Sequence, residues 1–210
     1  MKTRSSRRDF LTAGLALPAA GAASITPAPS TGAPPLRLTA AGEVKYRTLG
    51  KTGLKVAEVG LGCMITSDPS VIEKAADLGI NFFDTSRGYQ GGNNERMVGA
   101  ALKSRRKQVY ISTKTGARTP EEALANLDTS LKELGTDYVD VWCLHGRGSA
   151  AQLTDELLDA QQSAKKAGKT RFTGLSTHSG QADVIQGAIK SGKMDVVIMA
   201  YNFTMGDSLN

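Results

Sequence analysis

The chain has 210 residues and a formal net charge of +6. Its first 22 residues hold four of the 26 Lys and Arg and one of the 20 Asp and Glu, which leaves only +3 on the rest. So small an excess, spread along the sequence, does not argue for nucleic acid. The two cysteines, Cys63 and Cys143, fit neither metal-ligand spacing nor a disulfide framework.

Residues 1–22 contain the run Ser6-Arg7-Arg8-Asp9-Phe10-Leu11, then the mildly apolar LTAGLALPAA, then an A-x-A site at Ala20-Gly21-Ala22. This is the pattern of a twin-arginine signal peptide. It predicts passage through the twin-arginine export machinery, cleavage after the leader, and a periplasmic or extracellular location. The apolar stretch is too short to span a bilayer and contains Pro18, so no stable membrane anchor is expected. Residues 23–42, rich in Pro, Ala, Thr and Gly, are predicted to be a flexible linker. A folded domain is expected over 43–210. Because this route exports proteins already folded in a reducing cytoplasm, both cysteines are expected to be buried free thiols.

The domain opens with a hairpin from Lys45 to Ala57, where Gly50-Lys51-Thr52-Gly53 supplies the turn. VGLGCM is the first strand of a new pattern. Asp68-Pro69 then caps a helix over Ser70–Leu78, which Gly79 ends. A short apolar strand, NFFD, leads into a polar loop carrying Tyr89, where Gly88, Gly91 and Gly92 are expected to allow a tight path. Asn93 or Asn94 is expected to cap the next helix, with Met97, Val98, Ala101 and Leu102 on its apolar face. The basic run Lys103 to Lys107 reads as a solvated rim at that helix's end.

A third strand covers Val109–Thr113. Thr119-Pro120-Glu121-Glu122 is a capping box that starts a helix with Leu124, Leu127, Leu131 and Leu134 facing the core. Strand four, Tyr138–Leu144, is apolar except for Asp140, as suits a strand covered on both faces. A helix from Thr154 to Ala167, a strand over Arg171–Leu175, a helix over Ala182–Ser191 and a strand over Val196–Tyr201 complete the series. His178 is expected on a solvent-facing loop.

Polar residues recur where these strands end. Asp84, Lys114, His145 and Ser176 follow one another at steps of 30, 31 and 31 residues. A strand-then-helix repeat of that length is the βα unit of an α/β protein. Taken singly, an acid at a strand end is an ordinary helix cap, and Asp84 with Lys114 an ordinary rim ion pair. Polar groups delivered only at the C-terminal ends of successive parallel strands mark the mouth of a βα barrel.

The runs YRTLGKTGLKVAEVGLG, GINFFDTSRGYQGGNNERMVGAAL, VYISTK, LGTDYVDVWCLH and TRFTGLST resemble the aldo/keto reductase family, over roughly Val44 to Tyr201. The resemblance implies a (β/α)8 TIM barrel, of which about six βα units are visible, with the hairpin plugging its bottom. The chain thus looks C-terminally truncated relative to that fold, with two unpaired strand edges. The resemblance also implies a catalytic tetrad of Asp84, Tyr89, Lys114 and His145, and a small-molecule carbonyl or alcohol substrate.

Hydride addition to a carbonyl leaves charge on oxygen that a proton must meet. A tyrosine, with a reference pKa of about 10, donates that proton near neutrality only if its phenolate is stabilised. A lysine ammonium beside it, oriented by an aspartate, does so, and a histidine can hold the substrate oxygen.

No strand–GxGxxG–helix fingerprint occurs, so a Rossmann domain is not supported. By resemblance the cofactor is NADP(H) or NAD(H), with contacts from Cys63, Asp84, Ser176 and Thr177. Ser176 and Thr177 would hold the nicotinamide carboxamide, although the family more often has Asn at the second position. It also tends to have Gln where Ile198 stands. Two other readings stay open: a non-catalytic nicotinamide-binding barrel that serves a partner protein, and an inactive gene fragment.

Overall fold

The structure is a computed structural model and describes residues 44–202. The leader, the linker and the last eight residues lie outside that range. A two-stranded antiparallel hairpin comes first, β1 (Tyr46–Thr48) and β2 (Lys55–Ala57), joined by a short 3-10 turn over Gly50–Thr52. Six parallel strands follow: β3 (Leu61–Gly62), β4 (Phe82–Asp84), β5 (Tyr110–Thr115), β6 (Val139–Leu144), β7 (Thr170–Thr177) and β8 (Val196–Met199). They pair in strict chain order. Between them run α1 (Pro69–Asp77), α2 (Asn93–Leu102), α3 (Pro120–Leu134), α4 (Asp155–Lys166) and α5 (Gln181–Ser191). This is a partial TIM barrel, an α/β fold with the expected hairpin ahead of it.

Alternation along the strands separates two cores. Phe83, Ile111, Val139, Trp142, Leu144 and Leu175 pack with the helices, joined by Val98, Leu102, Leu127, Leu134, Leu157, Leu158 and Val184. On the barrel side sit Val141, Cys143 and Val196, with Phe82, Phe172, Ile198 and the hairpin's Leu49 packed against them. Leu49 thus closes the bottom of the sheet. Asn81, at the start of β4, fixes the hairpin there by accepting from the Ala57 amide at 2.8 Å and donating to the Lys55 carbonyl at 2.9 Å. Gln161 braces the opposite layer, donating from Nε2 to the carbonyls of Trp142 and Gly174 at 2.8 and 3.0 Å.

The caps mostly follow the chain's own signals. Asp68 accepts from the Ser70 amide, Thr119 from Glu122 and Thr154 from Leu157. The box after Thr119 is only half formed, because the Glu122 carboxylate accepts from the Arg118 amide instead of reaching Thr119. The first barrel strand shrinks to Leu61–Gly62, while β7 runs two residues beyond Leu175.

Neither Asn93 nor Asn94 caps α2; Gly92 takes the cap position at φ 92°. Gly88 sits in ordinary helical space, and Gln90 supplies the third left-handed residue of the loop at φ 51°. Gln90 tolerates this because its amide donates to the carbonyls of Met64 and Thr66 at 3.0 and 2.8 Å. The basic run is not wholly solvated either. Arg106 tucks in over the Tyr138 ring, pairs with Asp140 at 3.0 Å and donates to the carbonyls of Val109 and Tyr138.

Candidate active site

Barrel-side alternation brings Asp84, Lys114, His145 and Ser176 to the same end of the sheet. Phe82 precedes Asp84 by two residues, Ser112 precedes Lys114, Cys143 precedes His145 and Gly174 precedes Ser176, so each polar group caps an inward-facing row. Gly174 is required there, because a Cβ would stand 2.7 Å from the Val196 carbonyl and 2.9 Å from Cys143 Sγ. Tyr89 comes from the short 3-10 turn after β4.

The four residues of the expected tetrad meet. Lys114 is 2% exposed. Its Nζ donates to Asp84 Oδ2, to the Thr85 carbonyl at 2.8 Å and to Tyr89 Oη at 3.4 Å. All three ammonium protons are therefore committed. The same ammonium lies 5.0 Å from the centre of the Tyr89 ring. Tyr89 and His145 meet edge to face with centroids 5.5 Å apart. Since Tyr89 Oη only accepts from Lys114, its own proton is free to be donated outward.

Burial, then the Lys114 charge, holds the His145 imidazole below its usual 6.5, so the ring is neutral at neutral pH. Its Nδ1 stands 3.0 Å from Ser86 Oγ, and Ser86 is fully buried. Nε2 has no partner among the described residues. Burial, then the Asp84 charge, pushes the thiols of Cys63 and Cys143 up to about 12, so both stay protonated and unreactive. Both are free and buried.

Four further residues support the site, none of which the sequence pattern assigned to it. Thr85 gives its carbonyl to Lys114, and its hydroxyl donates to Asn94 Oδ1 at 2.6 Å. Asn94 Nδ2 donates to the Cys63 carbonyl at 2.8 Å, so α2 clamps the β3 and β4 loops together. Glu95, fully buried, accepts from Arg87 and from the Thr113 hydroxyl at 2.5 and 2.6 Å. Ser86 holds His145. A buried acid on an apolar helix face was the one clue available, as Glu95 stands between Asn94 and Val98.

The residues expected to touch a cofactor divide. Asp84 Oδ1 is buried with no partner among the described residues, an acceptor waiting for a donor such as a ribose hydroxyl. Ser176 Oγ accepts from the Gly146 amide at 2.9 Å and keeps its own proton to give. These two fit the nicotinamide end of a dinucleotide. Thr177 does not join them: it falls on the helix-facing side with Leu175, and its hydroxyl donates to the Ser179 carbonyl at 2.9 Å. The Cys63 side chain likewise faces the helix core and is fully buried. Ile198 packs among the apolar barrel residues. His178 is exposed, as expected.

Residues 67–210 match the family model described as the Aldo/keto reductase family. The chain belongs to that family. An aldo-keto reductase structure from Bacillus halodurans, in its holo form, superimposes with a TM-score of 0.68 at 33% identity, covering 75% of this chain and 58% of that one. An uncharacterised oxidoreductase of Bacillus subtilis (strain 168) is 33% identical over 176 residues, 76% of this chain and 56% of its own length. L-galactose dehydrogenase of Arabidopsis thaliana is 33% identical over 190 residues, 79% of this chain and 59% of its own length. The chain thus spans little more than half the length of these two curated relatives.

Proposed function

We propose that this aldo/keto reductase chain carries the catalytic tetrad of an oxidoreductase that interconverts a carbonyl and an alcohol, with NADP(H) or NAD(H) as hydride partner. The reading rests on one observation: a single buried ammonium joins Asp84 to the Tyr89 hydroxyl, with His145 edge-on to the same phenol. A reduced nicotinamide, when bound, supplies the hydride. Tyr89 gives its proton to the carbonyl oxygen as charge grows there. Lys114 stabilises the phenolate left behind, and Asp84 keeps that ammonium charged and aimed. Neutral His145, in the tautomer that carries its proton on Nε2, would donate to the substrate oxygen, with Ser86 Oγ beside Nδ1. Asp84 Oδ1 and Ser176 Oγ are the groups that would hold the dinucleotide.

Tyr89→Phe removes the donated proton together with one acceptor of the Lys114 ammonium. It should lower kcat for a generic aldehyde by about 10²- to 10⁴-fold while leaving cofactor affinity within a few-fold. Equal turnover by wild type and Tyr89→Phe would sink the tetrad assignment.

We also propose export through the twin-arginine route, on the strength of Arg7-Arg8 and the cleavage site at Ala20-Gly21-Ala22. Replacing both arginines with lysine should leave a full-length precursor in the cytoplasm. Continued cleavage and export of that variant in a fractionated host would refute the proposal.

A further inference from the structure

Beside the mouth, where the loops after β5 and β6 leave the sheet, a cleft of about 200 Å³ is lined by Arg118, Arg147, Ala151, Gln152, Thr154 and Leu157. It contains two guanidinium groups and no carboxylate. Arg147 is only 4% exposed. One of its terminal nitrogens, Nη2, donates to the Ala117 carbonyl at 2.6 Å, which fixes the side chain, but its Nε is buried with no partner. Neither arginine forms an ion pair among the described residues.

The half-buried arginines elsewhere in the fold are paired. Arg87 meets Glu95 at 2.5 Å and Arg106 meets Asp140 at 3.0 Å. A guanidinium withdrawn from water without a counter-charge is costly, and burial together with the Arg118 charge presses the Arg147 pKa below its usual value.

The surroundings are built for an anion. The Arg147 amide donates to the Ser176 carbonyl at 2.8 Å, which pins the loop to the strand that carries the expected cofactor contact. Gln152 Oε1 accepts from the Gly148 amide at 2.7 Å, leaving its two amide protons for a ligand. Thr154 caps the 12-residue α4, whose partly positive N-terminus adds to the same potential. The first-turn acids Asp155 and Glu156 are not among the lining residues, and Asp155 reaches Lys193 at 3.4 Å instead.

We infer that this cleft binds a small oxyanion, a carboxylate or phosphate group, held by Arg147 and Arg118. The group is either the acidic end of the substrate or a free anion; only the first of these sources rests on the carbonyl chemistry proposed above.

The purified full chain is titrated by calorimetry with inorganic phosphate and with acetate at fixed ionic strength, chloride serving as control. Saturable binding of an oxyanion, not matched by chloride, is expected. Arg118 is exposed, so Arg118→Gln should fold normally yet weaken binding by about tenfold or more, the loss of one charge-assisted contact. Arg147→Lys, which keeps the charge but loses the planar fork, should weaken it too. Absence of saturable binding by the wild type, or undiminished binding by Arg118→Gln, overturns the site. Turnover of a carboxylate-bearing aldehyde against an uncharged one then identifies the source. A KM rise confined to the acidic aldehyde in Arg118→Gln assigns the site to the substrate. Equal behaviour of both aldehydes, with binding intact, assigns it to a free anion. Lack of turnover for either aldehyde counts against the proposed activity and leaves the binding result standing.

Discussion

Lys114 shows how one residue gathers a site. It is almost wholly buried, yet each of its three protons meets an oxygen, from a carboxylate, a backbone carbonyl and a phenol. A buried charge survives only with partners of that number and quality. His145 is the opposite case, kept neutral by half-burial and by that same ammonium. Above about pH 6.5 the folded and unfolded chains both carry a neutral imidazole here. Below it the unfolded chain takes up a proton that the folded one resists, so stability falls as the pH drops from 6.5 towards the depressed folded value. Urea unfolding across that interval should show the decline, and His145→Gln should flatten it. An equal slope in the variant would show that the imidazole is not held neutral. The residue types and order of Asp84, Tyr89, Lys114 and His145 were legible in the sequence. Ser86 was not, because a serine contact made across 59 positions leaves no local mark.

At the scale of elements, α2 does more than bury an apolar stripe. It enters through three left-handed residues, clamps two loops with Asn94 and anchors Arg87 with Glu95. Its Gly99 lies so close to the end of α3 that a Cβ would stand 2.3 Å from the Leu134 carbonyl oxygen. Helix propensity alone favours Ala over Gly by about 1 kcal/mol. The clash should reverse that sign, because overpacking costs about 1–3 kcal/mol. Gly99→Ala should therefore lower the unfolding free energy in denaturant. Gly116→Ala, with nothing within 4 Å of its Cβ, serves as control. A Gly99→Ala variant as stable as the control would mean that the two helices sit further apart. Thr119, Thr154 and Asp68 announced their helices correctly, since a cap is a contact within one turn. Asn94 misled because its amide found a better partner across the fold.

At the scale of the molecule, strict strand order and parallel pairing follow from the repeat of about thirty residues, and they carry Asp84, Lys114, His145 and Ser176 to one rim. The two ends of the sheet, β3 and β8, each have one neighbour. Between them lies an apolar cleft of about 330 Å³ whose lining includes Leu49, Val56, Phe82 and Ile198. Its walls are the barrel-side core continuing to the sheet's open side. Val197, on β8, is 37% exposed.

The sequence by itself determined the βα repeat, the family resemblance, the helix stops and the order of Asp84, Tyr89, Lys114 and His145 along the chain. Those depend on spacing, turn chemistry and residue type, all written along the chain. Only the tertiary structure decided that Ser176 faces the barrel while Thr177 turns to the helices, that Cys63 is sealed in the helix core, and that Arg118 and Arg147 share a cleft without an acid. A side chain's partner lies tens of residues away in sequence, and which face it takes depends on where each strand begins to pair.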